Sequence, residues 1–184
     1  MSDLQQDKSY TRTLARIQSL GRFGMRFGLE QISAALQRQG RPQERFPAVH
    51  IAGTNGKGST AAMVESCLNA AGLCTGLFTS PHLCRFTERI RVDGQEIARA
   101  DVVRLAEQAL EEGLTFFEVV TAMAICAFAE REVDLAVMET GMGGRLDATT
   151  VVRPAVCILT HVGQDHPAVL GPDPASVATG KAAI

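Results

Sequence analysis

Gly53-Thr54-Asn55-Gly56-Lys57-Gly58-Ser59 is the stretch of sequence that decides the fold. The apolar run 48–52 before it predicts a short buried strand, and the run 60–71 after it predicts a helix. A glycine-rich turn between a strand and a helix can surround phosphate groups with backbone N–H groups. In such a turn Lys57 supplies a charge for the β- and γ-phosphates, and Ser59 a hydroxyl for Mg²⁺. We therefore call residues 53–59 the phosphate loop, although a glycine separates its lysine from its serine, unlike the usual GxxxxGK[ST] order.

The composition is that of an ordinary globular protein. Of 184 residues, 46% are hydrophobic and 21% charged, which is enough for one sizeable core. The net charge of -2 gives no general positive field, so we expect no nucleic-acid partner. No apolar run reaches the ~18 residues of a membrane helix, so we expect no membrane association. Five dispersed cysteines and a polar N-terminus predict a cytoplasmic protein with reduced thiols and no signal peptide.

Strands alternate with helices along the rest of the chain. Apolar periodicity predicts further helices over 10–20, 29–39, 102–112 and 116–131, and further buried strands over 74–79, 135–138 and 155–160. Residues 88–97 predict a hairpin with a two-residue turn at Asp93-Gly94, and Asp101 and Thr115 are expected N-caps. The fold class is therefore α/β: a mostly parallel sheet of the P-loop ATPase type with helices on both faces.

Residues suited to chemistry follow four of the predicted strands. In such sheets ligands bind at the carboxyl ends of the strands. These ends carry the phosphate loop, Ser80, Glu139 and the stretch 161–166. A carboxylate directly after a buried strand needs a partner, and for Glu139 either Mg²⁺ or Arg145 would serve.

Other polar residues allow two interpretations on sequence alone. His166 by itself is more typical of a core or loop histidine than of a Mg²⁺ ligand. Asp147 either caps a turn or binds an N–H group of a ligand. The glycine-rich loop 21–28 either contacts a flat ligand through Phe23 and Phe27 or packs these rings into the core.

Several motifs in a fixed order resemble the folylpolyglutamate synthase and dihydrofolate synthase branch of the Mur ligase superfamily. The phosphate loop departs from the usual P-loop in the same way as the loop of that superfamily. The segments SPHL (80–83), RFTERIRV (85–92), LTFFE (114–118) and GGRLDAT (143–149) narrow the resemblance to this branch. The resemblance extends from about Leu14 to Ile184.

The resemblance implies an ATP-dependent ligase that joins L-glutamate to the carboxylate of a reduced folate or of dihydropteroate. ATP would phosphorylate the carboxylate, and the amino group of glutamate would attack the acyl phosphate to give an amide, ADP and phosphate. Mg²⁺ and Lys57 would neutralise the charge that develops on the phosphate. The partners would be small molecules, and the full-length form would be a monomer.

The resemblance also implies roles for individual residues. The catalytic residues would be Lys57, His166 and Lys181. ATP would bind to Gly53, Thr54, Asn55, Gly56, Lys57, Gly58 and Ser59. One or two Mg²⁺ ions would be held by Ser59, Ser80, Glu139, His166 and a carbamylated Lys181. The pterin or folate would contact Arg22, Phe23, Gly24, Met25, Pro81, His82, Thr115, Phe116, Phe117, Glu118, Leu146, Asp147 and Ala148.

The expected domains are an N-terminal helical segment with a substrate loop over 1–46 and a truncated P-loop ATPase domain over 47–184. We expect the C-terminal glutamate-ligase domain of the family to be absent from the sequence. On this expectation the 184-residue chain alone is unstable and adds no glutamate. The alternative function is that of a truncated, catalytically incompetent nucleotide-binding fragment. An unrelated P-loop NTPase is disfavoured by the order Lys57-Gly58-Ser59.

Overall fold

The computed structural model describes residues 3–21, 28–110, 113–163 and 173–184. The helices in these ranges are α1 (Asp3–Leu20), α2 (Glu30–Arg38), α3 (Lys57–Ala70), α4 (Arg99–Leu110), α5 (Phe116–Glu130) and α6 (Pro174–Ala182). The strands are β1 (Ala48–Ala52), β2 (Thr75–Phe78), β3 (Ile90–Val92), β4 (Gln95–Glu96), β5 (Leu135–Glu139) and β6 (Pro154–Leu159). Short 3₁₀ helices occupy Pro42–Glu44, Phe86–Arg89 and Ala148–Val151.

The described strands form one sheet in the order β4-β3-β2-β5-β1-β6. The pairs β2–β5, β5–β1 and β1–β6 are parallel, and the pairs β2–β3 and β3–β4 are antiparallel. The predicted, mostly parallel α/β sheet is therefore confirmed, with a hairpin at one edge. Since β1 lies between β5 and β6, the phosphate loop leaves the sheet next to the carboxyl ends of both neighbours.

Helices pack on both faces of the sheet, as the sequence predicts. Alternate residues of β1, Val49 and Ile51, point into a small apolar cluster that includes Ala61 of α3. On the opposite face, Ala48 belongs to a larger cluster, to which α5 contributes more residues than any other element. The same cluster contains the buried side chains of Ile17 from α1 and of Ile32 and Leu36 from α2. The described helices within the segment 1–46 therefore share one core with the sheet.

Helix α5 lies closest to the centre of this core. Every residue from Glu118 to Ala129 is buried, because the helix is apolar on all its sides. It approaches β2 so closely that a Cβ on Gly76 would lie 2.6 Å from the ring of Phe128. Thr115 caps the helix as predicted, since its hydroxyl accepts the Glu118 N–H while the Glu118 carboxylate accepts the Thr115 N–H.

Three helix starts differ from the prediction. Helix α1 begins at Asp3 rather than residue 10, and its polar first half is held by Asp7, which forms an ion pair with Arg99 of α4. Helix α4 begins at Arg99, so Asp101 lies in its first turn instead of capping it. Helix α3 begins at Lys57 rather than residue 60, so the second half of the phosphate loop is helical.

The hairpin is shorter than predicted. Residues Phe86–Arg89 form a 3₁₀ helix and only Ile90–Val92 and Gln95–Glu96 pair as strands. Its two-residue turn is confirmed, because Asp93 and Gly94 both have positive φ, of 50° and 73°.

Strand β6 is exposed. Val156 and Leu159 keep 51% and 42% of their surface in solvent, unlike the buried β1, β2 and most of β5. None of the helices in the described ranges is long and apolar enough to cross a membrane.

Candidate functional site

The phosphate loop needs its first glycine. Gly53 has a φ of +150°, and a Cβ at this position would lie 1.9 Å from the Thr160 hydroxyl. Gly56, with a φ of 83°, is the N-cap of α3, and Lys57 is the first residue of the helix. The first N–H groups of α3 have no partners within the helix, so its N-terminus is suited to an anion.

Contacts with the end of β6 fix the conformation of the loop. The Thr54 N–H donates to the His161 carbonyl at 2.7 Å. The Thr54 hydroxyl lies 3.1 Å from the Gly163 nitrogen, which donates to it, and 3.3 Å from the Gly163 carbonyl oxygen. The Thr160 hydroxyl lies 2.8 Å from the Asn55 carbonyl oxygen. The loop is therefore held in shape before any ligand binds.

Two lysines meet at one carbonyl oxygen of the loop. Lys57 Nζ and Lys181 Nζ each donate to the Gly53 carbonyl at 3.0 Å. Lys181 is only 1% exposed, although a lysine near the end of a sequence is ordinarily solvated. Lys181 is buried because α6 packs against the loop 143–145, where the Arg145 N–H donates to the Gly180 carbonyl at 3.1 Å.

Glu139 ends β5 beside the phosphate loop. It is 4% exposed, and its Oε2 accepts the Ser80 backbone N–H at 2.8 Å. A Cβ on Gly58 would lie 3.4 Å from the same oxygen, so the first turn of α3 passes directly over the carboxylate. Burial raises the pKa of Glu139, while the Ser80 N–H and the charges of Lys57 and Arg89 oppose this rise. The cations near Glu139 are thus Lys57 and Arg89, and the alternative pairing with the exposed Arg145 is wrong.

The surroundings of Glu139 fit a hard cation. Ser59 follows Gly58 directly, and the Ser80 N–H contacts the carboxylate, so three predicted oxygen ligands lie on adjacent segments. A bound cation would offset the burial that disfavours the ionised form of Glu139. His166 lies outside the described residues. Within the described ranges, no group of three or more His, Cys, Asp and Glu side chains could by itself hold a metal.

A cavity of about 1540 Å³ opens beside Lys57 and Ser80. Of the predicted pterin contacts, it is lined by Pro81, Thr115, Phe116, Phe117, Glu118, Leu146, Asp147 and Ala148. The structure thus brings together segments that are separate in the sequence, next to the phosphate loop. The predicted contacts Arg22, Phe23, Gly24 and Met25 lie outside the described residues, but Gly21 and Gly28 on either side of them line the cavity.

Arg89 is a cavity residue to which the sequence analysis assigned no role. It is 7% exposed, its guanidinium lies 5.5 Å from the centre of the Phe116 ring, and burial lowers its pKa. Its Nε donates to His82 Nδ1 at 2.8 Å, so His82 lies behind Arg89 rather than on the cavity wall. Arg89 belongs to the quoted segment 85–92, but nothing local in that segment indicates burial.

Asp147 both caps a turn and faces the cavity. Its Oδ1 accepts the Thr149 N–H at 3.0 Å and the Thr149 hydroxyl at 2.6 Å, and its Oδ2 accepts the Met142 N–H at 2.8 Å. Burial raises the pKa of Asp147, and these hydrogen bonds oppose the rise. The two interpretations of Asp147 from the sequence are therefore compatible.

Comparison with known proteins agrees with this arrangement. Residues 51–172 match the Mur ligase middle domain family. The chain is 39% identical to the folylpolyglutamate synthase of Lacticaseibacillus casei over 96% of its own length and 44% of that protein. It is 41% identical to the dihydrofolate synthase/folylpolyglutamate synthase of Bacillus subtilis, over 89% of its own length and 40% of that protein.

Solved structures give the same result. Escherichia coli FolC in complex with DHPP and ADP is 39% identical, with a TM-score of 0.86 over 94% of this chain and 43% of that chain. Mycobacterium tuberculosis folylpolyglutamate synthase complexed with ADP is 38% identical, with a TM-score of 0.88 over 97% of this chain and 42% of that chain. The chain thus spans less than half of each of these relatives. It belongs to the Mur ligase family, in the branch of the folylpolyglutamate and dihydrofolate synthases.

Proposed function

We propose that this protein takes part in the ATP-dependent joining of L-glutamate to a carboxylate of a folate or of dihydropteroate. One observation carries the proposal: the phosphate loop, the buried Glu139 and a large cavity meet at one edge of the sheet. Relatives whose structures contain ADP with DHPP, or AMPPCP with folate, have this fold. This chain covers less than half of these relatives, and we expect the glutamate-binding part to lie in the remainder of such proteins.

In the proposed reaction, a carboxylate oxygen of the pterin substrate attacks the γ-phosphorus of ATP, and ADP leaves. The nitrogen of glutamate then attacks the acyl carbon and loses a proton, and phosphate leaves with the electron pair of the single bond between the acyl carbon and the phosphate oxygen. Backbone N–H groups of the phosphate loop and Lys57 would bind the phosphates. For this Lys57 must exchange the Gly53 carbonyl, 3.0 Å away, for a phosphate oxygen.

Mg²⁺ would neutralise charge on the transferring phosphate when it is bound. We propose Ser59, Ser80, Glu139 and His166 as its protein ligands. Glu139 supports this assignment because it is a buried carboxylate that accepts the Ser80 N–H and lies beside the first turn of α3.

The cavity offers the groups that a pterin ring requires. Phe116 and Phe117 provide aromatic surface, and Asp147 provides a carboxylate for ring N–H groups. Glu118 adds a further acceptor, because its Oε1 is buried at the cavity wall without a hydrogen-bond partner in the described part of the chain. These contacts support the proposed pterin site, with Pro81, Leu146 and Ala148 around it.

We also propose that Lys181 is carbamylated in the active protein. The neutral amine nitrogen would attack CO₂ and lose a proton, which replaces a positive charge by a carboxylate suited to a second Mg²⁺. Two lysine amines share the Gly53 carbonyl, so this change would remove one of two positive charges gathered there. A carbamate carbon signal in ¹³C NMR with labelled bicarbonate, lost in Lys181→Arg, would test it. Absence of the signal from the wild-type protein would contradict the proposal.

A cytoplasmic location and a monomeric form remain part of the proposal. All five cysteines are free in the structure, which supports a reducing compartment.

Lys57→Ala, made in the full-length form, tests the proposed function. With ATP, Mg²⁺, labelled glutamate and either a reduced folate or dihydropteroate, we expect product formation to fall ~10²-fold or more, because the charge nearest the transferring phosphate is lost. Lys8→Ala, which removes an exposed lysine of α1, is the matched control and should keep the wild-type rate. Circular dichroism would check that both variants fold. An unchanged rate in Lys57→Ala would overturn the assignment.

A further inference from the structure

A buried chain of hydrogen bonds leads from the middle of the sheet to the cavity wall. His50 lies in β1 with no exposed surface, and its Nε2 is 2.8 Å from the Thr149 hydroxyl oxygen. The same hydroxyl lies 2.6 Å from Asp147 Oδ1. His50 and Thr149 do not line the cavity, whereas Asp147 does. His50 is thus connected to the proposed substrate site through a single intervening side chain.

The direction of these hydrogen bonds follows from the groups that can donate. Asp147 accepts backbone N–H groups from Met142 and Thr149, as an ionised carboxylate does. The Thr149 hydroxyl has one proton, and the short 2.6 Å contact assigns it to Asp147, as in a charge-assisted hydrogen bond. The hydroxyl oxygen must then accept from His50, so His50 carries its proton on Nε2.

The surroundings of the other ring nitrogen agree with this direction. His50 Nδ1 is buried without a hydrogen-bond partner among the described residues. A proton on Nδ1 would leave a buried N–H unsatisfied, which costs more than a lone pair in the same place. Burial also lowers the pKa of His50 to about 4, which keeps the ring neutral.

The opposite tautomer would weaken the support of Asp147. If the proton of His50 were on Nδ1, Nε2 would become an acceptor and would compete for the Thr149 hydroxyl proton. Asp147 would then lose its shortest hydrogen bond and retain only backbone donors.

We propose that His50 and Thr149 are positioning residues for Asp147: neutral His50 donates from Nε2 to Thr149, and Thr149 donates to Asp147. This relay fixes the Asp147 carboxylate at the cavity wall and favours its ionised form, against the burial that disfavours it, so that it can accept N–H groups of a pterin ring. The role in substrate binding rests on the proposed function, whereas the direction of the relay does not.

NMR tests the direction of the relay without reference to any activity. Long-range ¹H–¹⁵N correlations of the histidine side chains, with His50 assigned from its loss in His50→Gln, should show Nε2 protonated and Nδ1 bare at neutral pH. Thr149→Ser keeps the hydroxyl and should keep this pattern, whereas Thr149→Val should shift the Nε2 signal. A proton on Nδ1 of wild-type His50 would overturn the proposal.

Steady-state kinetics test the role in binding. Thr149→Val should raise the KM for the pterin substrate about tenfold, the scale of a lost hydrogen bond to a charged group, and leave the KM for ATP within about twofold. Thr149→Ser should restore the wild-type KM. His50→Gln keeps an N–H₂ donor and should have a smaller effect than His50→Leu.

The possible outcomes are distinct. Equal rises in both KM values, or no rise for the pterin substrate in an active Thr149→Val protein, would overturn the role of the relay. A full-length wild-type form that makes no glutamyl product would refute the proposed function instead, and the NMR pattern would still decide the direction of the relay.

Discussion

Acid should destabilise this protein through one buried histidine. Burial lowers the pKa of His50 from 6.5 to about 4 in the folded state. The unfolded chain therefore takes up a proton near pH 6.5, whereas the folded protein does not until about pH 4. At about 1.36 kcal/mol per pKa unit, His50 should lower the free energy of unfolding by about 3 kcal/mol between these two pH values.

The contribution of His50 to the pH dependence of stability can be separated from that of other buried groups. Between the two pKa values the unfolded state binds more protons at His50, so stability falls as the pH falls. Glu139 and Asp147 act in the opposite direction, because burial raises their pKa values and their protonation favours the folded state. The difference between wild type and a His50 variant isolates the histidine.

Urea unfolding at several pH values between about 4 and about 7 would measure this difference. As the pH falls over this range, the free energy of unfolding of the wild type should decrease by about 3 kcal/mol more than that of His50→Gln, because only the wild type has the imidazole with the lowered pKa. His82→Gln, which removes a half-buried imidazole, is the matched control and should stay closer to wild type. Parallel curves for wild type and His50→Gln would refute the reasoning that His50 is buried and neutral.

Three further substitutions have defined outcomes. Glu139→Gln removes the buried charge proposed to bind Mg²⁺, so the Mg²⁺ concentration for half-maximal activity should rise at least ~tenfold, and an unchanged titration would argue against this ligand. Gly141→Ala would place a Cβ 2.5 Å from Cζ of Phe117, so the urea midpoint should fall by the equivalent of about 1–3 kcal/mol, and an unchanged midpoint would contradict the close packing. Gly180→Ala, in the last turn of α6, would place a Cβ that meets no atom within 4 Å, so stability should rise by about 0.5–1 kcal/mol, and a loss would show that α6 needs this glycine.

Local patterns predicted the elements whose causes are local. β1 was predicted with its observed bounds, because four apolar residues and one histidine precede a glycine turn. Helix α5 was predicted to within one residue, because Thr115 and Glu118 form a capping box. The first half of α1 was missed, because its polar residues have no apolar period and are held by the distant Arg99. The start of α3 was missed because Gly58 was counted as loop, although it is helical where the turn passes Glu139.

In the candidate site, too, the residues that follow local sequence patterns could be predicted and those that depend on distant contacts could not. The phosphate loop, Ser80 and Glu139 could be predicted, because each follows a predicted strand and the ends of parallel strands lie together. The burial of Lys181 could not, since it depends on a contact between residues 128 positions apart. The contact of His50 with Thr149 spans 99 positions, and a lone histidine in an apolar strand gives no indication of its partner. Arg89 was overlooked for the same reason, because its ring partner Phe116 comes from another element.

The contact of Lys181 with the Gly53 carbonyl has a consequence for the phosphate loop. A buried carbonyl that loses its hydrogen bond costs about 1–3 kcal/mol, and on the proposed function Lys57 has to leave this oxygen to reach a phosphate. Lys181 Nζ donates to the same oxygen at 3.0 Å from a different helix, so the carbonyl keeps a partner when Lys57 moves. A carbamylated Lys181 would still have one N–H to donate. On the proposed function, helix α6 would therefore lower the cost of releasing Lys57, and the Thr54 and Thr160 contacts would keep the backbone in place while the lysine changes partners.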